Sequence, residues 1–314
     1  MDPSFLAVAF CWFIPSALLS TWANTTFLLS FKDPVLHTLI RFVGSAIIGT
    51  TFLVGTGAVK PQQVFKVVAD VSVPAVLLWC ANYTNSIALQ YAGITLTYVM
   101  KAGIPVFTVL ICAAMGQKFS TLIYISLIPI CAGVALACMG DISFSVIGLA
   151  AGLCSCLSQT CMNISIKNVR LKTGYSGMQA FMGMAIVASG LCVPMAIITG
   201  MLQPDQHSPI EKLWGAFDLG SSQGDYWPLF LVVAAALAYH IEYAFNFVFL
   251  GYVSSVAFSV CDIARRVGII VMGSFVFSKA LTHMNWIGII VAMGGVLWYS
   301  YLESQMIKPK EKAI

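Results

Sequence analysis

Residues 96–110 read Leu-Thr-Tyr-Val-Met-Lys-Ala-Gly-Ile-Pro-Val-Phe-Thr-Val-Leu. The stretch is apolar almost throughout, yet Lys101 stands in its middle. A lysine that deep in a hydrophobic span costs about 2.5–3.5 kcal/mol on insertion scales, so such residues mark sites that face a wet cavity. Residues 259–270, Ser-Val-Cys-Asp-Ile-Ala-Arg-Arg-Val-Gly-Ile-Ile, repeat the pattern with Arg265 and Arg266. Cations inside two apolar helices predict one site for an anionic solute, with the rest of the chain arranged to hold it.

The composition supplies the setting. Of 314 residues, 59% are hydrophobic and 9% charged, with a mean hydropathy of +0.90. Soluble domains carry about 25% charged residues, so this chain reads as an all-α polytopic membrane protein in a lipid bilayer. A span takes about 20 apolar residues, which leaves room for about ten. They are expected at 5–30, 35–57, 71–90, 94–116, 122–139, 144–166, 176–201, 227–250, 254–277 and 286–302, with a tight turn at Gly93. Helices are required because backbone exposed to lipid must satisfy its own hydrogen bonds, and continuous rather than alternating apolar runs exclude a barrel. A net charge of +4, spread along the spans, excludes nucleic acid. Ten cysteines fall almost wholly in spans without a CxxC pair, so no disulfide framework, metal site or cofactor is expected. Apolar sequence beginning at Phe5 reads as the first span, not a leader, and no Ser- and Arg-rich transit segment precedes it.

Lysine and arginine positions orient the chain. With both termini cytosolic, that side holds Lys60, Lys66, Lys118, Lys167, Arg170, Lys172, Lys308, Lys310 and Lys312, and the far side only Lys32, Lys212 and Lys279. This is the positive-inside bias. The long polar loop 202–225 then lies on the far side. The halves echo one another. Gly116-Gln-Lys-Phe-Ser leads into a Gly-containing span from Pro129, and Ser278-Lys-Ala-Leu-Thr leads into another from Ala292. The expected organisation is a five-helix repeat at 1–140, a second at 141–303 and a basic cytosolic tail at 304–314. An odd number of spans per half inverts the halves, the usual build of secondary transporters. Lys101 and the Arg265/Arg266 pair then come from equivalent fourth spans.

Other polar residues inside spans are candidates. Arg265 and Arg266 point about 100° apart on a helix, so one is expected to meet the solute while the other pairs with Asp262. A guanidinium suits phosphate because its planar fork binds it bidentately. Tyr98, three residues before Lys101, is expected to line the same cavity. Glu242 reads as a counter-ion or a proton carrier. Asn82 and Asn85, with Ser86, either contact a sugar or phosphate or join helices by hydrogen bonds. Arg41, nearer a span end, is expected to snorkel. His240 is expected to be packed and hydrogen-bonded. Gly103 and Pro105 should loosen the helix after Lys101. Asn24, Asn82 and Asn163 match the glycosylation pattern but fall within spans, which argues against it.

These residues carry a family resemblance. Ala88-Leu-Gln-Tyr-Ala-Gly-Ile-Thr-Leu-Thr-Tyr-Val-Met-Lys101, running on to Pro105-Val-Phe-Thr-Val-Leu110, resembles the fourth-span signature of the triose-phosphate translocator and nucleotide-sugar transporter family, within the drug/metabolite transporter superfamily. Val253-Ser-Ser-Val-Ala-Phe-Ser-Val-Cys-Asp-Ile-Ala-Arg-Arg-Val267 is similar to the stretch where plastid phosphate translocators carry a Lys-Arg pair. The early stretch 24–39 also looks like the family. The resemblance implies ten helices in two inverted repeats and counter-exchange of phosphorylated solutes, with Lys101, Arg265 and Arg266 at the substrate-binding positions. Position 265 departs from the family's lysine, Asn82 and Asn85 replace a histidine and a threonine, and the Gly-Ala-Leu-Asn-Lys signature of GDP-mannose carriers is absent.

The combined expectation is a secondary antiporter, not an enzyme, that exchanges a sugar phosphate for inorganic phosphate or a nucleotide sugar for its nucleoside monophosphate. No HExxH, no GxGD and no matched Ser/His pair supports an intramembrane enzyme. An anion channel using the same cations, or an exporter of neutral metabolites, is the rival. The C-terminus, Lys310-Glu-Lys312-Ala-Ile314, resembles a dilysine retrieval signal read by coat proteins. That favours the Golgi or endoplasmic reticulum, with a plastid-type membrane as the alternative. A homodimer is one option for the assembly.

Overall fold

The computed structural model describes residues 3–139, 145–202, 208–218, 225–252, 255–277 and 281–311. Within them the regular structure is helical: α1 (Pro3–Phe31), α2 (Pro34–Gly55), α3 (Pro61–Asp70), α4 (Ser72–Lys101), α5 (Ile104–Ala114), α6 (Thr121–Met139), α7 (Val146–Thr173), α8 (Gly177–Leu202), α9 (Pro209–Asp218), α10 (Trp227–Tyr252), α11 (Ser255–Val276) and α12 (His283–Glu311). The all-α polytopic architecture is the one the composition requires. Asp205, Lys279, the turn at 278–280, Val253 and Ser254 of the second signature, the boundary at 140/141, and Lys312 with Ile314 lie outside the described residues.

Local chemistry sets the ends. The Asp33 carboxylate accepts the N–H groups of Val35 and Leu36 at 3.0 Å and starts α2. Reciprocal capping between Ser176 and Gln179 starts α8, and the same device at Ser208 and Glu211 starts α9. Gly174, at φ 75°, closes α7 in the left-handed conformation.

Among the described residues, six helices are long and apolar enough to cross a membrane, or seven if α3 and α4, bent by 71°, act as one span. The other expected spans fall on α1, on α11 with its charges, and on a limb that the structure breaks. That limb is the expected fourth span. Gly93 leaves helical geometry at φ 75°, ψ 179°, a combination that essentially only glycine adopts, at the expected turn. The helix then stops at Lys101, turns through Ala102 and Gly103, and resumes as α5 behind Pro105. Gly103 and Pro105 do more than loosen the helix: they end it, and leave Lys101 on a terminus. The sequence reading also gave no helices to 61–70 and 209–218. Both are short and amphipathic: α3 bends by 71° from α4 and packs on α8, and α9 packs on α2, α8 and α10.

The main packing pairs are α4 with α7, α1 with α10, α2 with α8 and α6 with α12. The last is a close crossing. A Cβ on Gly288 would lie 2.6 Å from the Ala137 nitrogen, and one on Gly133 would strike the Ala292 nitrogen. Small residues let these backbones touch, as is common in membrane helix pairs. The largest core joins α2, α4, α8 and α10 through Phe42, Leu78, Phe181 and Leu231.

Candidate functional site

A cavity of about 520 Å³ lies between α4, α5, α7, α8, α10, α11 and α12. Tyr98, Lys101, Glu242, Asp262, Arg265 and Arg266 all line it. The expected convergence of cations from the two halves is therefore present. Asp262 lies between the guanidiniums. Its Oδ1 accepts from Arg265 Nε at 3.0 Å and Nη2 at 2.6 Å, and its Oδ2 accepts from Arg266 Nε at 2.8 Å. Glu242 Oε1 accepts from Arg265 Nη1 at 2.8 Å. One arginine was expected to take Asp262; both do, because the carboxylate has two oxygens and the arginines follow at i+3 and i+4.

Two donors remain uncommitted. Arg266 Nη1 is buried without a partner. Lys101 makes no hydrogen bond or ion pair among the described residues, and its Nζ lies 5.3 Å from the Tyr98 ring centre. Five cations, Lys101, Lys167, Arg170, Arg265 and Arg266, line the cavity against two carboxylates, Glu242 and Asp262, which leaves positive charge in excess. Such a site can take an oxyanion in a bidentate or bridging geometry, with the carboxylates fixing where the guanidiniums point.

The cavity opens at one end. Lys167 and Arg170, near the C-terminal end of α7, line it together with Tyr299 and Ser300 of α12. The opposite end is filled by Ala17, Leu28, Leu89, Ile94 and Ile269, with Leu18 and Phe277 packed on them. Tyr98 joins that plug to the cavity, and its hydroxyl lies 3.2 Å from Thr21 Oγ1.

Asn82 and Asn85 do not line the cavity. Asn82 accepts from the Tyr239 hydroxyl at 3.2 Å and donates to the Leu78 carbonyl at 2.9 Å. Asn85 is buried, with its Oδ1 unpartnered. Arg41 does not snorkel. It is 4% exposed and donates to Ser86 Oγ at 2.8 Å, because α1, α4 and α10 enclose the face of α2 on which it stands. His240 is packed beside Phe181, though its Nδ1 finds no partner.

The sequence reading missed the α7 wall. Gln159, Asn163, Lys167 and Arg170 all line the cavity. In sequence Lys167 and Arg170 fall just beyond the expected span 144–166 and Asn163 stands out only as a glycosylation match, yet spacings of four, four and three place them on one helical face. That stripe was the available signal.

The helices thus form an all-helical membrane bundle around a cation-lined cavity. The chain belongs to the Triose-phosphate Transporter family, which it matches over residues 4–300. It is 26% identical over 216 residues to glucose-6-phosphate/phosphate translocator 1, chloroplastic, of Arabidopsis thaliana, covering 68% of this chain and 54% of that protein. It thus spans about half of that relative's length. It is 28% identical over 292 residues to the triose phosphate/phosphate translocator, non-green plastid, chloroplastic, of Brassica oleracea var. botrytis, covering 92% and 70%. Phosphoenolpyruvate/phosphate translocator 3, chloroplastic, of Oryza sativa subsp. japonica is 30% identical over 234 residues, covering 73% and 56%. A solved crystal structure shares the fold at a TM-score of 0.58 and 15% identity, over 92% of this chain and 97% of that one.

Proposed function

We propose that this protein exchanges phosphorylated organic solutes across an intracellular membrane by alternating access. The observation that carries the reading is the pair of uncommitted donors, Lys101 Nζ and Arg266 Nη1, in a cavity whose remaining guanidinium groups are held by Asp262 and Glu242. The phosphate sits between Lys101 and the arginine pair. Its charge offsets excess positive charge in the cavity, so a loaded site closes while an empty one resists closure, and transport becomes exchange. The relatives named for sugar phosphate and phosphate support this solute class.

The helix pairs support two inverted repeats. Interchanging the halves carries α1·α10 onto α7·α4 and α2·α10 onto α8·α4, and leaves α2·α8 and α6·α12 in place. The solute is a sugar phosphate exchanged for inorganic phosphate, as in the relatives, or a nucleotide sugar exchanged for its monophosphate. A competition panel separates them. The relatives' plastid names favour a plastid-type membrane, whereas the lysine tail favours the Golgi or endoplasmic reticulum through coat proteins. Imaging a tagged chain with Lys310→Ala and Lys312→Ala decides between them. Cross-linking in native membranes tests for a homodimer.

The direct test is counter-exchange in proteoliposomes. Lys101→Gln and Arg265→Gln should each reduce it by at least about 100-fold, the order expected when a buried charge contact to phosphate is lost. Unchanged exchange in both variants sinks the reading. Flux that ignores trans solute replaces the carrier with a channel.

A further inference from the structure

Beneath the floor of the cavity lies a second polar group that the mechanism above does not use. Tyr98 and Tyr243 line the cavity. Tyr243 packs against Tyr239 at a tilt of 45°, with ring centroids 4.6 Å apart. The Arg41 guanidinium lies 5.0 Å from the centre of the Tyr239 ring. Its hydrogen-bond partners are neutral: Ser86 Oγ at 2.8 Å and the carbonyls of Asn82 and His37 at 3.3 Å. Among the described residues no carboxylate pairs with it. His37, fully buried, joins Ser86 at 3.0 Å through Nδ1 and Asn24 Oδ1 at 3.0 Å through Nε2. Asn24 Nδ2 donates to the Ser20 carbonyl, so its Oδ1 is the accepting atom and His37 Nε2 carries the hydrogen. Next to this group are buried polar atoms without partners: Thr25 Oγ1 beside Asn24, Ser45 Oγ one turn after Arg41, and Asn85 Oδ1 one turn after Asn82.

A buried cation among neutral partners and unused hydroxyls has the makings of an oxyanion site. A separate observation says when it is used. Asn24 on α1 and Asn163 on α7 are each followed two residues later by a hydroxyl residue, Thr26 and Ser165, and each lies in the C-terminal half of the first long helix of its half. Asn163 lines the open cavity, whereas Asn24 belongs to the Arg41 group. α7 packs on α4 as α1 packs on α10. Interchanging the halves carries the wall of the open mouth onto this buried group.

We propose that Arg41, with Asn24 and Ser86, is a second oxyanion station that lines the opposite mouth and takes the solute's phosphate once the carrier opens to the other face. This rests on the exchange reading above. On opening, the guanidinium trades its carbonyl contacts for phosphate oxygens, and the Thr25 and Ser45 hydroxyls supply further donors. In the present state the tyrosine floor and the apolar plug keep the group dry.

The test is sided exchange in vesicles of known orientation, using whichever of labelled inorganic phosphate and labelled uridine monophosphate the native carrier takes up. Arg41→Gln should raise KM at least tenfold at the face that is closed here, and leave KM at the open mouth within twofold. Arg41→Lys should recover part of the loss. Ser86→Ala, a milder change, should raise KM about threefold on the same face only. An equal rise on both faces, or none in either variant, overturns the proposal and leaves Arg41 as a fixed joint between helices. Should Arg41→Gln fail to fold, the sided comparison is read from Arg41→Lys and Ser86→Ala. Loss of exchange on both faces in Lys101→Gln supports the central site independently, so failure of the two readings is distinguishable.

Discussion

Two groups of cations lie on either side of the tyrosine floor, and they are held in different ways. Above it, Arg265 and Arg266 share Asp262, and Glu242 holds Arg265 again, with these side chains 15–17% exposed to a cavity. Below it, Arg41 is 4% exposed and has hydroxyl and carbonyl partners only. A carboxylate fixes a guanidinium in a site that must be present at rest, but it competes with any incoming anion. Neutral partners compete less and leave the cation more costly to keep buried. The upper group is built to be ready, the lower one to be uncovered.

The largest effect should follow from disturbing the carboxylates. Asp262→Asn removes the shared acceptor between two arginines. Breaking a buried pair costs about 3–5 kcal/mol, and the wet cavity lowers that figure here. Thermal melting in detergent should shift down by several degrees. The freed guanidiniums should also hold phosphate more tightly, so KM falls about fivefold while maximal exchange falls further. Unchanged or weaker binding would show that Asp262 is no competitor and would erase the contrast with Arg41.

A smaller effect is expected at the mouth. Lys167 and Arg170 flank the opening, and Arg170 Nε donates to the Tyr175 carbonyl at 3.3 Å, which keeps it near the rim. Rim charges act on arrival, through a field that salt screens over about 10 Å at 0.1 M and about 3 Å at 1 M. Lys167→Gln with Arg170→Gln should raise KM about two- to threefold at low ionic strength and hardly at all near 1 M salt. A rise that survives high salt would assign the two residues to direct contact, and so to the central group.

The sequence disclosed the central group more readily than the lower one, for a physical reason. Lys101, Arg265 and Arg266 are strong charges in mid-span, and the cost of placing them there is large enough to be read without coordinates. Arg41 carries the same charge, but it lies closer to a helix end, where snorkelling and burial give the same pattern in one dimension. Only packing of α1, α4 and α10 around α2 distinguishes them. Asn82 pointed the same way from sequence whether it faced solute or another helix, and the structure places it with Tyr239. The breaks at Gly93 and Gly103 were visible because glycine and proline act locally. Helices α3 and α9 were not, since ten polar and apolar residues in a connection carry too little length to oppose a loop reading.

The smallest effect tests the closed face itself. Lys212 on α9 pairs with Asp33 at 2.9 Å, with side chains 25% and 7% exposed, just before the helix that bears Arg41. Asp33 also caps α2 through two backbone N–H groups. A partly exposed ion pair contributes about 0.2–1 kcal/mol, whereas loss of an N-cap costs about 0.5–2 kcal/mol. Lys212→Ala should therefore shift the melting temperature by a degree or two, and Asp33→Ala by roughly twice as much. Equal shifts would mean that the pair, not the cap, secures the start of α2. The closed face would then depend on a surface charge that salt can screen, and raising ionic strength should favour opening beside Arg41 while leaving the Asp262-held arginines unchanged.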